Sequence, residues 1–130
     1  RCGTELADRL RSAKSFRSGR PVPAPDWFLA ALPPVALDGE LWLGRGRFDA
    51  VSAATRREQP DEAEWRAIRY EVFEAPDAPG DFAARHAALL ALAGTGRYPV
   101  LHAVEQQALP DRAALQRRLD EVVAAGGEGL

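Results

Sequence analysis

Hydrophobic and polar positions change their period along this chain, and each change marks an element. Over residues 37–48, LDGELWLGRGRF, the alternation is that of an extended strand: Leu37, Leu41 and Leu43 point one way, and Asp38, Glu40 and Trp42 the other. Gly39 leaves that strand bare at one point, so another backbone or a ligand can approach closely. RYEVFEA over 69–75 is a second strand, with Tyr70, Val72 and Glu74 on one side and Glu71 and Phe73 on the other. Residues 98–105 form a third. Helical spacing relates Phe48, Val51, Ser52 and Thr55, and Asp61 with Glu64 three residues on resembles a capping box for a short helix through Trp65. Residues 82–93 are an Ala/Leu helix, and Asp111 caps a last helix whose stripe is Leu115, Leu119, Val122 and Val123, stopped at Gly126-Gly127. Nearer the start, Leu6 and Leu10 suggest a short surface helix. Pro21, Pro23 and Pro25 stiffen the backbone, and Asp26 caps a turn carrying Trp27, Phe28 and Leu29 into the core, which Pro33-Pro34 ends. Strands interspersed with helices and short turns, without repeat or linker, predict one α+β domain over 1–130 on a largely antiparallel sheet with flanking helices.

The 130 residues suffice for a single core. With 19 acidic and 17 basic residues the formal net charge is -2, which gives no long-range attraction to polyphosphate, so a free-standing nucleic-acid binder is not the first expectation. Cys2 alone cannot form an internal disulfide, and no apolar run approaches a membrane span, so no membrane partner is expected. The chain opens without Met, as a fragment or processed product would. Lys14 is its only lysine, and the remaining basic residues are arginines.

Four features lie in order: Arg17-Ser18-Gly19, Asp38-Gly39-Glu40, Tyr70 to Glu74, and Glu128-Gly129. Each has a plain structural reading. Asp38 and Glu40 fit the wet side of a half-buried strand, Phe73 fits a core, and Arg17 fits a turn paired with a nearby acid. Together, from Phe16 to Leu130, they resemble the adenylation domain of ATP-dependent DNA ligases, in the covalent nucleotidyltransferase superfamily. The stretch SFRSGRPVPAPDWFLAALPPVALDGELWLGRGRF is most similar to small bacterial ligases of minimal architecture, with RYEVFEAP and LDEVVAAGGEGL following in order. The resemblance implies a nucleotidyltransferase, ATP-grasp-like fold. It also implies ATP and Mg²⁺ as cofactors, and nicked double-stranded DNA as the partner of a monomeric parent. It places Arg17 on the nick 5′-phosphate, Glu40 near the ribose of the adenylate, Phe73 on the adenine ring, and Glu128, with Glu40, at the divalent metal. A guanidinium for phosphate, an aromatic face for a purine and carboxylates for Mg²⁺ suit those roles.

The departures point to an inactive piece. The family's lysine, in Lys-x-Asp-Gly, attacks the α-phosphate of ATP to give a lysyl-AMP and pyrophosphate, and must be neutral to do so. No Lys-x-Asp-Gly occurs here. Lys14 stands only three residues before Arg17 and reads as a solvated surface lysine, and the arginine at the expected place, Arg1, cannot deprotonate. The aspartate expected after the stacking Phe is Glu74. The strand with the late phosphate-neutralising lysines is expected beyond Leu130, and no OB-fold domain is expected within these residues. Gly44-Arg45-Gly46-Arg47 lacks phosphate-loop spacing and reads as a turn whose arginines could touch a DNA backbone. Arg56 and Arg57 could do likewise or complement a helix end, and His86 and His102 read as surface histidines. Two other readings compete: a dead nucleotide- or DNA-binding remnant, and an RNA ligase fragment. The compartment, bacterial cytoplasm or periplasm, is left open by these residues.

Overall fold

A computed structural model describes residues 21–130. The elements run α1 (Asp26–Ala30), β1 (Asp38–Trp42), α2 (Phe48–Arg56), α3 (Glu62–Ala67), β2 (Arg69–Glu74), α4 (Phe82–Gly94), β3 (Leu101–Ala103) and α5 (Arg112–Ala124). The early Leu6/Leu10 helix, Cys2, Lys14 and Arg17 lie outside the described residues.

The three strands form one sheet in the order β1-β2-β3. β1 and β2 are antiparallel, whereas β2 and β3 are parallel, so the sheet is mixed rather than largely antiparallel. The cause is α4, which lies between β2 and β3 in sequence and carries the chain back across the sheet before β3 begins. One face of the sheet is covered. There Leu41, Tyr70, Val72, Leu101 and Ala103 meet Phe28 and Leu32, Ala54 of α2, Trp65 and Ile68, and Leu89 of α4. The expected alternation therefore holds away from the start of β1, with Leu37, Leu41 and Leu43 packed against the core and Glu40 exposed on the other face.

Register puts Gly39 beside Val72, Glu40 beside Glu71 and Leu41 beside Tyr70, but Asp38 beside Glu74. Phe73 is thus the extra residue of a β-bulge, with no Cα partner on β1. At Gly39 the two backbones approach so closely that a Cβ there would overlap Glu71 O and stand 2.8 Å from Val72 Cα. The bare position foreseen in the sequence is filled by the neighbouring strand.

Several local signals behave as expected. Asp61 Oδ1 accepts from Glu64 N at 2.9 Å, and Asp111 Oδ1 from Ala114 N at 2.7 Å. The Glu64 carboxylate, however, completes no reciprocal box, since Arg57 Nε and Nη2 donate to it at 3.1 and 2.9 Å. Arg57 is thus held in a surface ion pair with Glu64. Asp26 is not the cap of α1: Pro25 holds that position, and its carbonyl accepts from Phe28 N and Leu29 N. Phe48 is 74% exposed, and α2 packs instead through Ala54 and Thr55. β3 is shorter than residues 98–105 because Tyr98 to Leu101 closes a hydrogen-bonded turn at Pro99, which has no N–H to give a ladder. The stripe of α5 is not buried, with Leu115 at 48% and Val123 at 53% exposure. No helix among the described residues is long and apolar enough to cross a membrane.

Candidate functional site

The sheet face opposite the core, which none of the described helices covers, gathers the chemistry. Alternation sends Glu40 and Trp42 from β1, Arg69, Glu71 and Phe73 from β2, and His102 from β3 away from the core. Glu40, Glu71 and His102 form one row across the three strands. Two carboxylates directly opposite one another repel. Arg69 Nε relieves one of them, lying 2.9 Å from Glu71 Oε1, while among the described residues Glu40 has neither ion pair nor side-chain hydrogen bond. An exposed carboxylate beside a second one, with no cation of its own, favours a positively charged guest. Phe73, half-buried and absent from the core, has no aromatic neighbour among the described residues. The bulge sets its ring on the same side as Glu40, which offers an aromatic face to a planar ligand.

The core side of the same strands is locked from beneath. Tyr70 Oη donates to Leu37 O at 3.0 Å, and burial, aided by the Asp38 carboxylate, pushes its phenol up to about 12. Glu128 stands apart, exposed beyond the end of α5. Its segment is joined to the β1 side by Arg45, whose Nη1 donates to Ala125 O at 2.8 Å. Among the described residues no three or more His, Cys, Asp or Glu side chains are placed to hold a metal. A shallow hollow of about 390 Å³ lies elsewhere, between α4 and residues 106–108, where Phe82, His86 and Leu90 line it. Its His86 is not a free surface histidine: the ring stacks on Phe82 at 6.0 Å and Nε2 lies 3.2 Å from Val104 O.

No family model matches the chain. A DNA ligase of Haemophilus influenzae is 32% identical over 114 residues, which are 88% of this chain and 42% of that protein. A solved structure of Lig E DNA ligases, described as DNA binding with a minimal scaffold, matches with a TM-score of 0.78 and 31% identity over 87% of this chain and 44% of that one. This chain is homologous to DNA ligases of the minimal bacterial type. It spans less than half the length of either ligase.

Against the ligase pattern, the Glu74 departure has a structural use. Arg85 Nε and Nη2 each donate to its carboxylate at 3.0 Å, Ala75 N adds a bond at 2.9 Å, and Arg85 Nη1 also reaches Gly80 O. The pair clamps α4 against the end of β2, one residue past Phe73. Arg85 holds the Glu74 carboxyl below its ordinary value of 4.5, and the carboxylate in turn raises the guanidinium. A carboxyl that binds its proton less tightly folded than unfolded stabilises the fold fully above its unfolded value, and loses that contribution as pH falls through the lower folded one. Chemical denaturation of this chain on a descending pH series should therefore show stability falling below pH 4.5, with a shallower fall in Glu74→Gln. Equal slopes would refute the clamp.

Alternation in RYEVFE already implied that Arg69 and Glu71 share the face of Phe73. Neither was singled out, because each reads locally as a solvated charge. His102 had no local signal, since its place depends on the β2–β3 register.

Proposed function

We propose that this chain is part of the adenylation domain of an ATP-dependent DNA ligase, whose parent seals nicks in duplex DNA through a lysyl-AMP. Its uncovered sheet face is the nucleotide-binding wall. The observation that carries this reading is that Glu40, without an ion pair among the described residues, lies near the bulged Phe73, which is absent from the core. Phe73 stacks on the adenine, Glu40 lies by the ribose, and Arg17 takes the nick 5′-phosphate. Among the described residues no three His, Cys, Asp or Glu side chains converge on a metal, so Mg²⁺ would rely mainly on the substrate phosphates, with Glu40 and Glu128 the carboxylates that the ligase resemblance offers it. When bound, Mg²⁺ offsets negative charge on the phosphates.

The chain's own residues bind and orient; they do not supply the attacking amine. Lys14, the only lysine, is not followed by Asp-Gly, and none of the arginines deprotonates. These 130 residues therefore bind ATP without self-adenylating. Incubation with α-phosphate-labelled ATP and Mg²⁺ should leave no acid-stable, protein-bound AMP, while ATP raises the melting temperature of the wild type and not of Phe73→Ala. Base–aromatic stacking contributes about 1–3 kcal/mol, so ATP affinity should fall roughly 5- to 150-fold in that variant. A stoichiometric adduct on Lys14 would overturn the inactive reading. An ATP shift unchanged in Phe73→Ala would overturn the adenine site.

A further inference from the structure

We infer that Arg85 is a positioning residue for Phe73: it fixes the backbone beside the bulge and so sets the direction of the ring, an inference that rests on the adenine role proposed above. The bulge makes such a device necessary. Phe73 has no Cα partner on β1, so the ladder does not orient it from that side and its direction follows from the residues before and after it. Val72, before it, is fully buried and pairs with both neighbouring strands, and its carbonyl accepts from Val104 N at 2.8 Å. Glu74, after it, stands opposite Asp38, where like charges push the strand ends apart.

Arg85 holds that second side. Its Nε and Nη2 each donate to the Glu74 carboxylate at 3.0 Å, a planar fork that fixes direction as well as distance. Nη1 donates to Gly80 O at 3.0 Å, which ties down the turn between β2 and α4 as well. The two side chains are only 25% and 24% exposed, so the pair is less screened than an open surface one. Arg85 is itself firmly placed, near the start of a helix capped by Asp81 and anchored in the core by Leu89. The next residue, His86, brings Nε2 to 3.2 Å from Val104 O, so consecutive side chains of α4 hold the ends of β2 and β3 on either side of the bulged residue.

The experiment uses the whole chain with isotopically labelled phenylalanine rings, the Phe73 signals being assigned by their loss in Phe73→Ala. In Arg85→Ala those signals should broaden or split, and ATP affinity, measured by titration, should fall roughly two- to tenfold, the range expected for one hydrogen bond. In a Phe73→Ala background, Arg85→Ala should weaken ATP no further, because Arg85 acts through the ring. Additive losses would mark a merely structural role and overturn the inference. Arg85→Lys, which keeps the charge but not the fork, should recover part of both effects. Glu74→Gln should broaden the ring signals in milder form, and it serves as the readout if Arg85→Ala does not fold. Phe73 signals unchanged in every folded variant of the pair would overturn the positioning role and leave the adenine reading standing. A wild-type chain that binds no ATP would overturn the adenine reading, while the ring signals still decide whether Arg85 positions Phe73.

Discussion

Trp65→Ala is expected to cost about 3–5 kcal/mol, the range for removing a large aromatic from a packed core. Trp65 is fully buried at the point where α3 meets α1, and its ring meets Phe28 edge-on with centroids 4.8 Å apart. Around that pair lie Leu32, Ala54, Ile68, Val72, Leu89 and Leu101, drawn from both sides of the sheet's covered layer. A domain of this size has about 5–15 kcal/mol in all, so the variant should be largely unfolded at moderate temperature. Trp65→Phe separates packing from polarity. Among the described residues the buried Nε1 has no hydrogen-bond partner, so Phe forfeits volume but no bond, and removes a desolvated donor. Urea denaturation of both variants tests this. A loss in Trp65→Phe as large as in Trp65→Ala would mean that the indole nitrogen is satisfied after all.

Gly39→Ala should be the most damaging small change in the strand pair that carries the candidate face, destabilising by about 1–3 kcal/mol or more for so small an addition. The atoms that a Cβ would strike, Glu71 O and Val72 Cα, belong to backbone and cannot rotate aside. β1 and β2 must part at the place where the register already slips between Asp38 and Gly39. Glu40, one residue on, and Phe73, the bulged residue, would both move. The variant should therefore lose the ATP-dependent gain in melting temperature to a greater extent than its stability loss explains. Retained stability with a normal ATP response would show that the strands accommodate the methyl group.

Local chemistry made much of the fold legible. Period-two alternation separated Leu41 from Glu40 and Val72 from Phe73, because one covered face forces that division; which side of β2 faces the core needed the structure. Asp61 and Asp111 were readable as caps because the bond each makes is only three residues long. What escaped was set by partners far off in sequence. The pairing of β2 with β3, the Glu74–Arg85 clamp and the reach of Arg45 to Ala125 leave no local pattern. The exposed Phe48 and the thinly packed stripe of α5 escaped for the opposite reason: spacing shows which side chains share a face, not whether another element arrives to cover it. In the candidate site, the residues on β1 and β2 were found through ordered resemblance, whereas the bulge that presents Phe73 needed the register.

The loose attachment of α5 has a spectroscopic corollary. All three indoles, Trp27, Trp42 and Trp65, belong to the other end of the chain, from α1 to α3. Their emission reports the sheet and its covering helices and is blind to fraying of the C-terminal helix, where the carboxylate of Glu128 is carried.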